Sequence, residues 1–275
     1  MICIINIYFF NIIQNMIEVR KEFANYNEIY KFIQENTASF NNNEVLCVFD
    51  IDNTITMLEC EYAYWPNICK YKNELKNIEN KYSDIDMNFV FMNILINYPT
   101  KIHDKDILTF INKIKFKKIM LTASANGSYK DIDIIEKFRF NILKNLGVSF
   151  ENEFNLDDFI QFKNHKKIFE SYPSYYKGII FSNSTNKESN KGKVLKEFLA
   201  ISNFNPKCII LIDDNENNHD NLTEEFNTSD VKLINIKYVG AEDYCPIEVT
   251  KENFINFWEK NFIEAQQEFL KRCNK

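Results

Sequence analysis

A chain of 275 residues, 45% hydrophobic and 15% aromatic, holds enough apolar material for one α/β domain with an insert, or for two small domains. Its formal charge of -6 argues against a nucleic-acid backbone as partner, which would call for a basic face. The seven cysteines show no Cys-x-x-Cys pair and no metal-ligand spacing, and the odd count favours a reducing compartment over a disulfide framework.

Residues 1–24 are set apart as an apolar N-terminal extension. The first fifteen residues lack a positive leading region, Asn6 and Asn11 interrupt them, and no small-residue cleavage site follows. The run is too short to span a bilayer as a helix, so no stable membrane insertion is expected. Either it packs on the domain or translation starts at Met16. A cytoplasmic location is the first expectation, with export on a degenerate signal as the alternative.

Residues 27–34 predict a short helix with Ile29, Phe32 and Ile33 on one face. The run Val45-Leu-Cys-Val-Phe-Asp-Ile-Asp-Asn-Thr54 then predicts an apolar strand over 45–49 that ends in Asp50 and Asp52. A strand that delivers carboxylates at its C-terminal end places them in the crevice where open α/β sheets bind ligands. Taken alone, Asp-x-Asp-x-Thr also serves as a turn or a helix cap, so the strand ends downstream matter.

Residues 57–100 read as an insert, with helical spacing at Ile68, Leu75 and Ile78 and again at Phe89, Met92, Ile94 and Ile96. Its aromatics Tyr62, Tyr64 and Trp65 either line a substrate mouth or anchor the insert. A helix over 104–114 leads into a strand over 118–122 that ends in Thr122. Residues 131–146 predict an amphipathic helix with Ile134, Ile135, Phe138, Ile142, Leu143 and Leu146 on one stripe and Gly147 as its C-terminal cap.

Residues 159–162 and 178–181 predict short strands, paired as a hairpin beside the main sheet. A polar loop over 182–190 reaches Lys191-Gly192, which opens a helix over 193–199. The strand 208–212 ends in Asp213-Asp214, a turn follows, and His219 reads as a loop residue with no chemical vacancy to fill. A strand over 231–239 ends at Gly240. The last helix, 251–272, takes Thr250 as N-cap and turns Phe254, Phe257, Trp258, Phe262, Ala265 and Phe269 to the core. Strands alternating with helices predict a three-layer α/β fold with a central parallel sheet, the 45–49 strand lying between 118–122 and 208–212.

Four carboxylates at two neighbouring strand ends repel, since a unit pair at ~4 Å costs about 4 kcal/mol at an effective dielectric of ~20. Asp50, Asp52, Asp213 and Asp214 must therefore share protons or hold a cation, and an oxygen-only site that meets phosphate suits Mg2+. Lys191 would bring a second positive charge to the substrate and the nucleophile. Thr122 and the N–H after it would hydrogen-bond a phosphoryl oxygen. Asp213 and Asn218 are better placed to orient the metal ligand or Lys191.

The signatures Asp50-Ile-Asp-Asn-Thr54, Leu121-Thr-Ala, Lys191-Gly192, Ile212-Asp-Asp and Asp214-Asn-Glu-Asn-Asn218 together resemble the haloacid dehalogenase (HAD) superfamily over roughly residues 25–245. They look closest to an uncharacterised bacterial branch of it. The resemblance implies a Rossmann-like core over 25–56 and 101–275 with a small, mainly helical cap over 57–100. It further implies a Mg2+-dependent phosphohydrolase acting on a small phosphomonoester through an aspartyl-phosphate. By the same resemblance Asp50 is the nucleophile and Asp52 the general acid/base, and Thr122 and Lys191 hold the phosphoryl group. Asp50, Asp214 and the Asp52 main-chain carbonyl ligate the metal. Ser124 stands where many such relatives carry Arg, which leaves substrate choice open. Two alternatives share these residues: a non-catalytic binding or effector protein on the same fold, and a phosphotransferase passing the phosphoryl group to an acceptor other than water.

Overall fold

The sheet grows from apolar runs that must be covered on both faces. Residues Val45 to Phe49 and Cys208 to Asp213 are buried throughout, as in parallel strands with helices on either side. The computed structural model describes residues 17–167, 170–184 and 190–273. In chain order the elements are β1 (Glu18–Phe23), α1 (Tyr26–Thr37), β2 (Val45–Phe49), β3 (Thr56–Leu58), α2 (Trp65–Lys70), α3 (Lys72–Lys81), α4 (Met87–Asn97), β4 (Thr100–Ile102), α5 (Asp106–Lys113) and β5 (Lys117–Thr122). They continue with α6 (Ile135–Asn145), β6 (Phe159–Gln161), β7 (Ser174–Tyr176), β8 (Ile179–Phe181), α7 (Lys191–Ile201), β9 (Cys208–Asp213), α8 (Glu216–Phe226), β10 (Lys232–Tyr238) and α9 (Lys251–Cys273).

The main sheet has the order β1-β10-β9-β2-β5-β8-β7-β6. The first six of these run parallel, and β7 and β6 add an antiparallel edge. β2 therefore lies between β5 and β9, as predicted. Alternate strand residues face opposite ways. Val45, Cys47 and Phe49 join Ile29 of α1 and Phe110 of α5 in one apolar cluster. Leu46 and Val48 join Val194 and Phe198 of α7 and Leu222 of α8 in another. Helices cover both faces, so the α/β sheet is the middle of three layers. Cys47 and Cys208 sit in the strands as small hydrophobes, and burial pushes the Cys208 thiol up to about 12. No helix among the described residues is long and apolar enough to cross a membrane.

Several local expectations change. The reading of the first fifteen residues falls outside the described residues, but from Glu18 the supposed extension is an edge strand paired with β10. Arg20 on it reaches Asp220 of α8 at 2.7 Å and also pairs with Glu216. The two strands expected as a hairpin do not pair with each other. β7 intervenes and bonds to both, and β8, wholly buried, joins β5 in the parallel sheet. The turn expected after Asp214 is the helix α8, whose buried face is only His219, Leu222 and Phe226. Two apolar residues in eleven are too few to register as a periodic stripe.

Helix α6 is rolled from its predicted orientation. It starts at Ile135, Ile134 is 47% exposed, and Glu136 and Arg139 are buried beside Phe140 and Leu143. Gly147 does follow the helix in the left-handed region, at φ 86°, as its cap requires.

The insert leaves and returns through a stem in which Thr56 pairs with Ile102 and Leu58 with Thr100. Between these strands α2, α3 and α4 leave an apolar face that the main sheet, already covered on both sides, cannot take. Helix α9 takes it. Phe254, Trp258, Phe262 and Ala265 are fully buried against Leu75, Ile78 and Phe89. The stripe expected to face the core thus faces the insert. Thr250 caps the helix as predicted, its Oγ1 accepting from the Asn253 N–H at 3.3 Å.

Candidate active site

Phe49 lies opposite Ile212 in the β2–β9 ladder, and the next N–H, that of Asp50, still donates to the Ile212 carbonyl at 2.9 Å. Asp50 and Asp213 therefore leave the sheet side by side. Lys191 meets them from the first turn of α7, whose N-cap Asn190 accepts from the Lys193 N–H at 2.9 Å. Gly192 makes this approach possible, because a Cβ there would lie 2.4 Å from the Asn221 carbonyl oxygen of α8.

Lys191 is 1% exposed, and its Nζ donates to Asp50 Oδ1 at 2.5 Å and to Asp213 Oδ2 at 2.7 Å. Asp213 Oδ1 accepts from the Asn215 N–H at 2.9 Å and from Asn218 Nδ2 at 2.8 Å. Its carboxylate is thus occupied in holding Lys191 and the loop. Oxygens of Asp50, Asp213 and Asp214 all come within 4.8 Å of one another.

Three carboxylates against one ammonium leave a formal charge of -2 in a largely buried space. Burial first, offset by Lys191 and reinforced by Asp213 and Asp52, pushes the Asp50 carboxyl up to about 7. Burial, then Asp50 and Asp213, raises that of Asp214 well above the ordinary range, while Lys191 and a hydrogen bond from Asn53 pull it back. Burial alone would lower the Lys191 ammonium, but Asp213 and Asp50 outweigh it and hold it above its ordinary value. Protons bound so readily mark uncompensated negative charge, and an all-oxygen donor set of this charge fits a hard divalent cation such as Mg2+.

Asp52 stands apart from this cluster. Its Oδ1 accepts from Arg139 Nη2 at 2.8 Å, and the two side chains are 48% and 1% exposed. Arg139 was absent from the predicted site, although a signal for it existed. It lies four residues after Ile135 and four before Leu143, on the stripe of α6 where an apolar side chain belongs. Glu136 beside it is bonded to the Gly127 N–H at 3.1 Å and to the Ser174 hydroxyl at 2.8 Å. Buried charges with specific partners rolled the helix. The Arg139 Nε and Nη1 have no hydrogen-bond partner among the described residues.

Thr122 is buried, and its Oγ1 accepts from the Ser124 N–H at 3.0 Å while its carbonyl accepts from Ser182. It caps the loop after β5, and Ser124 is the residue of that loop that reaches the cavity. His219, expected in a loop, is buried on α8 with Nε2 at 3.1 Å from the Asp213 carbonyl oxygen, bracing the strand end.

A cavity of about 280 Å3 opens over Asp50, Asp52 and Asp214. Ser124, Asn215 and Asn218 add neutral polar groups to its floor, and Asn88 of α4 adds one from the insert side. The opposite wall comes from the insert: Tyr64, Trp65 and Ile68 at the start of α2, and Phe91, Met92 and Leu95 of α4. The three aromatics of the insert divide between the two expected fates. Tyr62 stacks on Phe257 of α9 with ring centroids 4.5 Å apart, an anchor, whereas Tyr64 and Trp65 line the cavity.

The family described as "Protein of unknown function (DUF2608)" matches over residues 22–271. An uncharacterized protein of Rickettsia conorii is 31% identical over 144 residues, 50% of this chain and 46% of its own length. One of Rickettsia typhi is also 31% identical over 144 residues, 49% of this chain and 48% of its own. One of Rickettsia prowazekii is 22% identical over 250 residues, 85% of this chain and 88% of its own. The chain spans about half the length of the first two. No solved structure matches it.

Proposed function

Since the chain belongs to the DUF2608 family, whose function is unknown, we propose from the site itself that it is a Mg2+-dependent phosphomonoesterase of the HAD type, working through an aspartyl-phosphate on Asp50. The observation that carries this reading is the buried Lys191 bridging Asp50 and Asp213 at 2.5 and 2.7 Å, where Asp50 and Asp214 open onto a cavity and lie close enough to share a cation.

Asp50 and Asp214 would hold Mg2+, which when bound neutralises phosphoryl charge and favours the ionised form of Asp50. The Asp50 carboxylate oxygen attacks phosphorus as the bond to the leaving oxygen breaks, and that oxygen takes a proton from Asp52. Asp52, now a carboxylate, removes a proton from water, which attacks the same phosphorus. The bond from phosphorus to Asp50 breaks, releasing phosphate and restoring both aspartates. Lys191 offsets the charge that builds on Asp50 and the phosphoryl oxygens. Arg139 fixes the Asp52 rotamer through Oδ1 and offsets the charge on Asp52 once its proton has gone to the leaving oxygen.

The test is release of inorganic phosphate from a panel of phosphomonoesters by the purified protein, with and without Mg2+. Turnover should require the cation and vanish in Asp50→Asn, whose neutral amide keeps the shape but not the nucleophile. Wild-type, Mg2+-dependent turnover by Asp50→Asn would defeat the reading. Mass spectrometry of enzyme trapped during turnover should find one added phosphoryl group on Asp50.

A further inference from the structure

The cavity that holds the aspartates is chemically two-sided. Its floor is carboxylate and amide. Its roof, from α2 and α4, presents Tyr64, Trp65, Ile68, Phe91, Met92 and Leu95; Asn88 of α4 is the one amide on that side, and its Nδ2 already donates to the Ser184 carbonyl. Among the described residues that line it, the only charged side chains are Asp50, Asp52 and Asp214. A second phosphate, or a carboxylate on the substrate, would meet aspartates below and hydrocarbon above. A sugar would leave its hydroxyls facing a roof with few partners, and unpaired buried hydroxyls weaken binding.

From this asymmetry we infer that the substrate is a monophosphate ester whose leaving group is a single uncharged, apolar unit, of about the size of one aromatic ring or a short branched alkyl chain. The inference rests on the phosphomonoesterase reading and assigns its substrate class. The size follows from the space. An apolar cavity of ~150 Å3 accommodates benzene, so about 280 Å3 leaves room for a phosphoryl group over the aspartates and one such unit beneath the roof. The roof is held firmly enough to select. Leu95 and Met92 are buried in the cluster that α9 closes, and Phe91 packs edge-on against Trp258 at 5.6 Å between centroids.

Leaving-group reactivity must be matched for the test to read the pocket. Benzyl phosphate and 3-methylbutyl phosphate are primary alkyl esters, as are glycerol 3-phosphate and ribose 5-phosphate. Burial of each methylene contributes about fourfold, so kcat/KM with Mg2+ should favour the apolar pair by roughly a hundredfold. Trp65→Ser, at a residue 46% exposed, should narrow that preference about tenfold. Leu95→Asn should narrow it too, and the exposed site keeps the test readable if the buried variant does not fold. A binding readout without turnover accompanies it: benzylphosphonate should bind about tenfold more tightly than methylphosphonate by calorimetry. Hydrolysis of ribose 5-phosphate as efficient as that of benzyl phosphate would overturn the inference and leave the phosphomonoesterase standing. No phosphate release from any ester, with benzylphosphonate still preferred, would remove the catalytic reading and retain the apolar specificity. Equal phosphonate affinities with no turnover would remove both.

Discussion

The ion pair between Asp52 and Arg139 is asymmetric, and its two halves should fail differently. Arg139 is 1% exposed, whereas the Asp52 side chain is 48% exposed. Asp52→Ala leaves a guanidinium buried with no anionic partner, and uncompensated charges of that kind cost about 3–5 kcal/mol. Arg139→Met leaves a carboxylate that water reaches, and lost pairs of that kind cost about 0–1 kcal/mol. Methionine keeps the apolar stem, so repacking adds under ~1.5 kcal/mol. Urea unfolding at neutral pH should therefore place Asp52→Ala below Arg139→Met, by roughly 3 kcal/mol at the middle of these ranges. Activity should rank them less sharply. On the proposed mechanism Asp52→Ala removes the acid/base group, and Arg139→Met, with Asp52 free to wander, should lose roughly 10- to 100-fold in kcat. Equal destabilisation by the two substitutions would refute the argument, because it would mean that Asp52 is as deeply desolvated as its partner.

Three further outcomes follow from the carboxylate cluster and its support. Between an unfolded carboxyl value near ~3.9 and about 7, the folded protein keeps a proton on Asp50 that the unfolded chain has lost. Without metal, stability should fall as pH rises through that window, and the raised Asp214 acts in the same direction. Because Mg2+ prefers the deprotonated carboxylates, the melting temperature gained on adding it should be larger at pH 8 than at pH 5.5, and a larger gain at pH 5.5 would contradict the cluster as its site. Asp214→Asn should raise the Mg2+ concentration needed for half-maximal activity by at least ~10-fold, with part of the rate returning at high metal. Gly192→Ala should cost about 1–3 kcal/mol in urea unfolding, since its Cβ would press on the Asn221 carbonyl, and it should also lower kcat by pushing Lys191 off Asp50.

The middle of the molecule was legible because parallel strands buried on both faces must be unbroken apolar runs. The strand at 45–49 matches its expected bounds, and Asp50, Lys191, Asp213, Asp214 and Asn218 gather where those runs end. What escaped was held by contacts that leave no period. Helix α8 buries a histidine among two apolar residues, and β7 is the short Ser174-Tyr-Tyr176, whose Ser174 hydroxyl bonds Glu136. In α6 the apolar stripe was real, but Arg139 lay on it and its partner was 87 residues away. Thr122 ends its strand, and its Oγ1 accepts from the Ser124 N–H of the loop it caps, a role compatible with the phosphate contact read for it. The apolar roof was foreseen only as a choice for three aromatics, since which of them faced the cavity depended on where α9 would dock.

That docking also imposes an order in time. Trp258 of α9 bonds to the Tyr62 carbonyl across 196 residues of chain, and at ~5–20 residues per second a ribosome takes roughly 10–40 s to make that stretch. Through that interval the apolar face of the insert exists without its cover, while β5, β8, β9 and β10 emerge and can assemble on β2. The nascent protein thus passes through a state in which the carboxylate floor can assemble before the roof is fastened, with Leu75, Ile78 and Phe89 open to a chaperone or to a neighbouring chain. Synthesis halted before α9 would yield a sticky protein with a formed sheet, and its fate would be decided by aggregation rather than by lost chemistry.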